Sequence, residues 1–282
     1  MRHLKTPLRY PGGKSRAVKT LYNWFPSTIK EYREPFCGGS SMALYFSQLH
    51  PEVPVWINDK YEYLYNFWIT LQQNGDKLSD TLYAIKQEHA TPDLAKQLFN
   101  RSKEEISEAD PFRQAVLFWI LNKCSYSGLT ENSAFSETAS RQNFTLRGAA
   151  NLKKYQEIIA NWVITNSDYS DLVMEPGEDV FVFLDPPYKI NSFLYGTNAE
   201  LHKGFDHKYF IDTCKVCPHQ WMVTYNVDEE IEKEYDGYHQ RYFSLTYGMQ
   251  HRANNKKDEL LVTNYNVQPP NPLEVLLYGE GV

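Results

Sequence analysis

Asp185-Pro186-Pro187-Tyr188 directly follows the apolar run Val180–Leu184 (VFVFL). An acid, a backbone carbonyl and an aromatic ring therefore stand at the carboxyl end of a strand, where open α/β sheets place their ligands. Two consecutive prolines lack N–H groups and have fixed φ, so the turn is stiff. Asp185 and the Pro186 carbonyl can each accept one N–H, and Tyr188 can stack on a flat ring. The set suits a planar ring bearing an exocyclic amine. With both amine protons held, the nitrogen lone pair turns out of conjugation toward an electrophile. An Asp-Pro turn with a packed tyrosine is the plain alternative.

Glu34-Pro35-Phe36-Cys37-Gly38-Gly39-Ser40 is a second signal. Glycines between a strand and a helix let backbone approach a ligand closely. The run lacks both the GxGxxG spacing of dinucleotide sites and the GK[ST] ending of a phosphate loop. That absence points to a nucleoside-type cofactor. Asp59 ends the next apolar run, where an acid takes ribose hydroxyls; it equally resembles a helix cap. Arg9-Tyr10-Pro11-Gly12-Gly13-Lys14 is a third: a Pro-Gly-Gly turn exposing N–H groups, with Lys14 poised for a carboxylate.

These residues need a frame. Strands are expected to end near Glu34–Pro35 and to span Val55–Asp59, Trp162–Thr165, Val180–Leu184, Trp221–Tyr225 and Glu259–Asn264. Near-continuous apolar strands belong in a sheet covered on both faces by helices. Helices are expected over Arg16–Phe25, from Ser40, through much of Tyr61–Cys124, and over Ala149–Ala160. Asn74-Gly75, Pro92 and Pro111 read as turns. Residues 125–147 are polar and aperiodic and read as a long loop, a length usually functional or disordered. The expected architecture is α/β, a doubly wound Rossmann-like sheet. A helical and loop insertion at 65–147 divides a core of 1–64 and 148–282.

The chain has 282 residues, 42% hydrophobic and 23% charged, enough for a large core. A net charge of −6 argues against nucleic-acid binding by bulk charge but leaves room for a local basic face. No run reaches the roughly 20 apolar residues that span a bilayer, and the N-terminus lacks a secretory pattern. A cytoplasmic protein is expected. Cys37, Cys124, Cys214 and Cys217 are too few for a disulfide scaffold. Cys214-x-x-Cys217 has no second pair, so no metal is expected.

Taken together and in this order, PGGK, EPFCGG and DPPY resemble the adenine-N6 DNA methyltransferases of the DNA adenine methylase type, the Dam-like D12 class, alpha group. NDKYEYLYNFW from Asn58, NSDYSDL from Asn166 and KDELLVTNY from Lys257 resemble further segments of that family. The resemblance implies a methyltransferase fold and S-adenosylmethionine as cofactor. Tyr10, Pro11, Gly12, Gly13 and Lys14 would border it, with Lys14 on its carboxylate. Glu34, Pro35, Phe36, Gly38, Gly39 and Ser40 would form the turn beneath, Asp59 would hold the ribose, and Asp168 with Tyr169 would meet the cofactor's adenine. Asp185 would border the cofactor and, with Pro186, Pro187 and Tyr188, carry catalysis on an adenine extruded from double-stranded DNA. A cognate restriction endonuclease would be a functional partner, and one flipped base per event suits a monomer. The pocket chemistry alone would also serve cytosine N4 or an RNA adenine. A chain that kept the fold and lost turnover would be a silent DNA-binding module, which the intact Lys14, Asp59 and Asp185 argue against.

Asn122–Gln142 resembles the family's DNA-recognition run, implying DNA contacts from Arg9, Asn122, Lys123, Ser125, Tyr126, Ser127, Asn132, Ser133 and Arg141. Ser127 stands where the family has Asn, and Thr130-Glu131 replaces an arginine that reads guanine in GATC-specific members. Arg is the usual bidentate partner of guanine, whereas Glu accepts from an amine such as cytosine's, so a target other than GATC is expected. Basic residues gather at Arg2, Lys5, Arg9, Arg16 and Lys19, at Arg141, Arg147, Lys153 and Lys154, at His202, Lys203, His207 and Lys208, and at His251, Arg252, Lys256 and Lys257. Each is ordinarily a solvated face; together they would line a DNA channel.

Overall fold

Alternate residues of VFVFL bury on opposite sides, as the two-residue period of a strand requires. Phe181 and Phe183 join one apolar cluster, and Val180, Val182 and Leu184 another. This strand lies inside the sheet of the computed structural model, which describes residues 3–188, 204–246 and 256–267. Among the described residues the sheet has seven strands in the order β3-β2-β1-β4-β5-β7-β6. They are β1 Glu31–Glu34, β2 Val55–Asn58, β3 Val163–Thr165, β4 Val180–Leu184, β5 Gln220–Asn226, β6 His239–Thr246 and β7 Lys256–Thr263. β1 to β5 are parallel, while β7 pairs antiparallel with both β5 and β6. The order reverses between β1 and β4, whose carboxyl ends therefore flank a topological switch point.

One face is covered by α1 Val18–Tyr22, α2 Ser41–Leu49, α3 Glu62–Glu88, α4 Pro92–Glu105, α5 Pro111–Cys124, α7 Leu146–Ala150 and α8 Lys153–Ile159. α6 Glu137–Asn143 lies between α5 and α7 in sequence. The other face carries α9 Tyr169–Met174, α10 His207–Val216 and α11 Glu229–Glu234. Trp68, Trp119 and Phe144 share one cluster with Tyr32, Ile57 and Phe181, so the helical insertion and the sheet have a common core. Among the described residues no helix is long and apolar enough to cross a membrane.

Several expectations need correction. Asn74-Gly75 is a kink inside α3, where a Cβ on Gly75 would meet the Gln156 side chain at 2.9 Å. Pro92 and Pro111 open helices behind the caps Thr91 and Asp110. Residues 125–147 are not one loop. Ser125 bridges Phe135, Ser136 caps α6 through Ala139 N, and Thr145 caps α7 through Gly148 N. Hydroxyls that look like loop composition serve there as caps. The helix expected over Ala149–Ala160 is broken into α7 and α8. β6 was not expected at all; it is an edge strand with Tyr242 exposed and Phe243 buried, so it lacks a continuous apolar run.

Candidate active site

Pro11 and Gly12 are the central residues of a turn closed by Gly13 N–H to the Tyr10 carbonyl, 3.1 Å. Gly12 has φ +72°, the conformation a type II turn demands of its third residue. The turn delivers Lys14 to the carboxyl end of β4. Its ammonium is buried and donates to Gly12 O at 3.0 Å and to Asp185 Oδ1 and Oδ2 at 2.6 and 2.8 Å. Lys14, expected on a cofactor carboxylate, here commits its three protons within the protein, two of them to Asp185. Thr224 on β5 adds a 2.8 Å hydrogen bond to Asp185 Oδ1. A carboxylate offers about four acceptor positions, so three hydrogen bonds leave room for one more.

Tyr188 donates to Glu259 Oε2 on β7 at 2.7 Å, and its ring stacks on Tyr225 at 6.0 Å. Burial and the carboxylates of Asp185 and Glu259 hold the Tyr188 phenol far above its ordinary value. Lys14 Nζ lies 4.9 Å from the Tyr188 ring centroid, which ties three motif segments into one cluster.

Beside this cluster, across the switch point, lies the glycine turn after β1. Gly38 has φ +46°, and a Cβ there would lie 2.7 Å from the Tyr10 ring, so only glycine fits. Gly39 packs against Tyr10 as well. Asp59 Oδ2 accepts from Gly38 N at 2.9 Å and Oδ1 from Tyr61 N at 3.0 Å. Asp59 thus fixes the glycine turn and ties it to the start of α3, and each of its oxygens retains acceptor capacity. Burial lifts it to about 6, against the N–H groups of Gly38, Tyr61 and Lys60. Phe36, Tyr169, Phe205 and Phe210 form an aromatic group beside the turn, with Phe36 and Tyr169 centroids 5.0 Å apart. The buried hydroxyls of Tyr169 and Ser40 have no partner. An acid with spare acceptor sites, a ring cluster and an orphaned hydroxyl fit the nucleoside part of the expected cofactor.

Three expected cofactor contacts, Glu34, Pro35 and Asp168, are engaged within the protein. Glu34 is buried and accepts from Tyr32 Oη and Ala43 N, both at 2.8 Å, so it anchors the first turn of α2. Burial lifts it to about 8. Pro35 gives its carbonyl to Asn58 Nδ2. Asp168 is the N-cap of α9, its Oδ1 accepting from Ser170 N and Oγ. Burial raises that group, but the Ser170 donors together with the Lys60 ammonium at 3.6 Å outweigh it and leave the value lowered.

The recognition segment departs most from expectation. Asn122 is fully buried: Oδ1 accepts from Arg9 N at 3.0 Å, and Nδ2 donates to Arg9 O at 2.7 Å and Gly128 O at 3.3 Å. Lys123 donates to Pro7 O, and burial next to Arg9 lowers it to about 8. Ser125 is buried, its Oγ accepting from Thr130 N and its carbonyl from Arg9 Nη1 at 2.9 Å. Asn122, Lys123 and Ser125 thus hold the N-terminal segment instead of presenting to a groove. Glu131 accepts the Tyr61 hydroxyl and is turned inward. Ser127 has φ +57°, a conformation for which Asn, the family's residue, is better suited. Tyr126, Asn132 and Arg141 are exposed, while Ser127 and Ser133 are partly so. Of the basic clusters, Arg2, His202, Lys203, His251, Arg252 and the side chains of Lys256 and Lys257 lie outside the described residues. Cys214 and Cys217 are buried thiols; among the described residues no group of three His, Cys, Asp or Glu side chains is placed to hold a metal.

Sequence reading missed Thr224, Glu259, Asn58 and Phe205. A hydroxyl inside WMVTY and an acid inside DELLVTN were the available signals. Asn58 binds Pro35 O, Ser167 O and N, and Thr165 Oγ1, aligning the ends of three strands. Phe205 had no signal.

The chain resembles known proteins along most of its length. It is 26% identical over 204 residues to "Type II methyltransferase M.MjaIII" of Methanocaldococcus jannaschii, covering 66% of this chain and 70% of that one. "Type II methyltransferase M1.LlaDCHI" of Lactococcus lactis subsp. cremoris is 24% identical over 281 residues, 93% of this chain and 96% of the relative. "DNA adenine methylase" of Escherichia coli K12 is 25% identical over 201 residues, 68% and 69% of the two chains. Residues 10–253 match the family described as D12 class N6 adenine-specific DNA methyltransferase. The chain belongs to that family of adenine methyltransferases.

Proposed function

We propose that this chain is a site-specific DNA adenine-N6 methyltransferase that uses S-adenosylmethionine and acts on an adenine swung out of double-stranded DNA. The observation that carries the reading is Asp185: a carboxylate on a stiff Pro-Pro turn at the switch point, held by three hydrogen bonds from Lys14 and Thr224 with one acceptor position left. That position suits one N6–H, and the Pro186 carbonyl suits the other. Tyr188, fixed by Glu259 and Tyr225, offers its ring to the base.

Asp59 would take ribose hydroxyls, and Phe36, Tyr169 and Phe205 would enclose the cofactor's adenine. When bound, S-adenosylmethionine supplies an electrophilic methyl, which the amine nitrogen takes as the C–S bond breaks and its electron pair stays on sulfur. Asp185 and Pro186 keep the lone pair aimed at that carbon and stabilise the positive charge growing on nitrogen. The surplus proton leaves after the new N–C bond has formed, through Asp185 to water.

Residues 65–147 would meet the duplex, with Tyr126, Asn132 and Arg141 outermost, between the two parts of the core at 1–64 and 148–282. Because Thr130-Glu131 replaces the arginine and Glu131 is turned onto Tyr61, the target would be other than GATC. The enzyme would act as a monomer in the cytoplasm, with a cognate endonuclease as functional partner.

The test is modification-sensitive sequencing of DNA from a methylation-free host expressing the protein, beside an Asp185→Ala control. The expected result is N6-methyladenine in one short motif other than GATC, absent from the control. Unmodified DNA from a protein that binds the cofactor would overturn the reading in favour of a silent DNA-binding module. Methylation at GATC alone would overturn the target assignment.

A further inference from the structure

One buried acid at the site does more than fix Tyr188. Glu259 is 1% exposed. Its Oε2 accepts the Tyr188 hydroxyl and lies 3.7 Å from Lys14 Nζ, within ion-pair range but beyond a hydrogen bond. Its Oε1 is buried without a partner. Lys14 and Gly12 approach from the N-terminal segment, and Asp185 and Tyr188 from the turn after β4. In sheet register Glu259 stands opposite Asn226 on β5 and Phe243 on β6. Lys14 is the cation facing it, and Asp185 the other carboxylate.

Burying a carboxylate is costly unless its charge is used. A glutamine would accept the tyrosine hydroxyl equally well, so the acid contributes only its charge, and Lys14 is where that charge acts. Left alone, Lys14 would neutralise Asp185 and weaken it as an acceptor for an amine that becomes cationic. A second carboxylate shares the ammonium and returns negative potential to Asp185. We propose that Glu259 is a positioning residue of methyl transfer, acting through Lys14 and Tyr188 to set the charge that Asp185 presents to the target amine. This rests on the function proposed above.

Burial and the nearby Asp185 lift Glu259, while Lys14 and the Tyr188 hydroxyl lower it, to a balance of about 7. Below that pH Glu259 is neutral and the Lys14 charge falls wholly on Asp185. Above it, the two anions share one cation. The single-turnover rate should therefore rise with pH through about 7. Glu259→Gln should abolish that rise. Its rate should match the wild type at low pH and fall about tenfold below it at high pH, the ratio that one pK unit of interaction represents. Cofactor affinity should be unchanged. Tyr188→Phe keeps the ring but removes a bond that favours the ionised acid, so it should move the rise to higher pH; this arm stands even if Glu259→Gln fails to fold.

A rise that persists in folded Glu259→Gln, or that stays in place in Tyr188→Phe, overturns this inference and leaves the activity standing. No methyl transfer to DNA by the wild type at any pH overturns the reading beneath it.

Discussion

Asp185 accepts three hydrogen bonds and keeps room for a fourth, whereas Asn122 gives both amide protons and a carbonyl lone pair to the protein's own backbone. The first belongs to the strand ends, the second to the recognition segment. At the strand ends, stiff turns aim polar groups outward with acceptor capacity unspent. In the recognition segment, similar polar groups are consumed in clamping residues 7–9 to residues 122–128. The clamp matters because the clamped segment runs on into the turn that delivers Lys14 to Asp185. The part of the chain expected to meet DNA is thereby joined mechanically to the carboxylate proposed to act on the base.

Asn122→Ala should break this contrast with the largest effect. It strands the Arg9 N–H and two carbonyls in a buried place, at about 1–3 kcal/mol for each group left unpaired. Thermal unfolding should show a drop of several degrees, with DNA-dependent turnover lost more than cofactor affinity. A variant that melts normally yet methylates a different motif would show that Asn122 reads bases and that the contrast is false.

The same contrast explains what was legible in the sequence. VFVFL followed by DPPY, and EPFCGG between a strand and a helix, announce their geometry because proline, glycine and β-branched residues restrict backbone locally. Asn122 and Lys123 carry no such restriction. Their roles depend on Arg9 and Pro7, more than a hundred residues earlier. Lys14 illustrates both sides: its turn was readable from Pro11-Gly12-Gly13, but its partner was not, because Asp185 and Glu259 meet it only through sheet order. β6 escaped notice because an edge strand needs only one apolar face.

Asp59 sharpens the strand-end half. Its carboxyl is lifted to about 6, so it is ionised at neutral pH and gains a proton as the pH falls through that value. Ribose hydroxyls donate best to the ionised form, and cofactor affinity should weaken through the same window. Stability of the unliganded protein tied to this group runs the other way. It is full below about 4, the ordinary carboxyl value, and declines as pH rises through the folded value. Asp59→Asn should raise the cofactor dissociation constant about tenfold, in keeping with about 1.5 kcal/mol for a hydrogen bond to a charged group. Calorimetric titration between pH 5 and 8 should show that the variant has lost the wild-type pH dependence. An affinity unmoved by the substitution would reduce Asp59 to the turn-fixing role its bonds to Gly38 and Tyr61 already show.

Arg141 gives the smallest effect and the cleanest division within the recognition segment. It is exposed on α6, with a 3.9 Å ion pair to Glu137 one turn away. Such a pair contributes about 0.3–0.5 kcal/mol, so Arg141→Ala should leave the melting temperature nearly unchanged. If its guanidinium meets a phosphate, DNA affinity should weaken equally for all sequences, and the slope of log affinity against log salt should shrink by about one. A slope that stays the same would move Arg141 off the DNA track. A loss confined to the cognate motif would instead make it a base reader, and the outward face of α6 would then carry sequence information that the buried clamp beneath it does not.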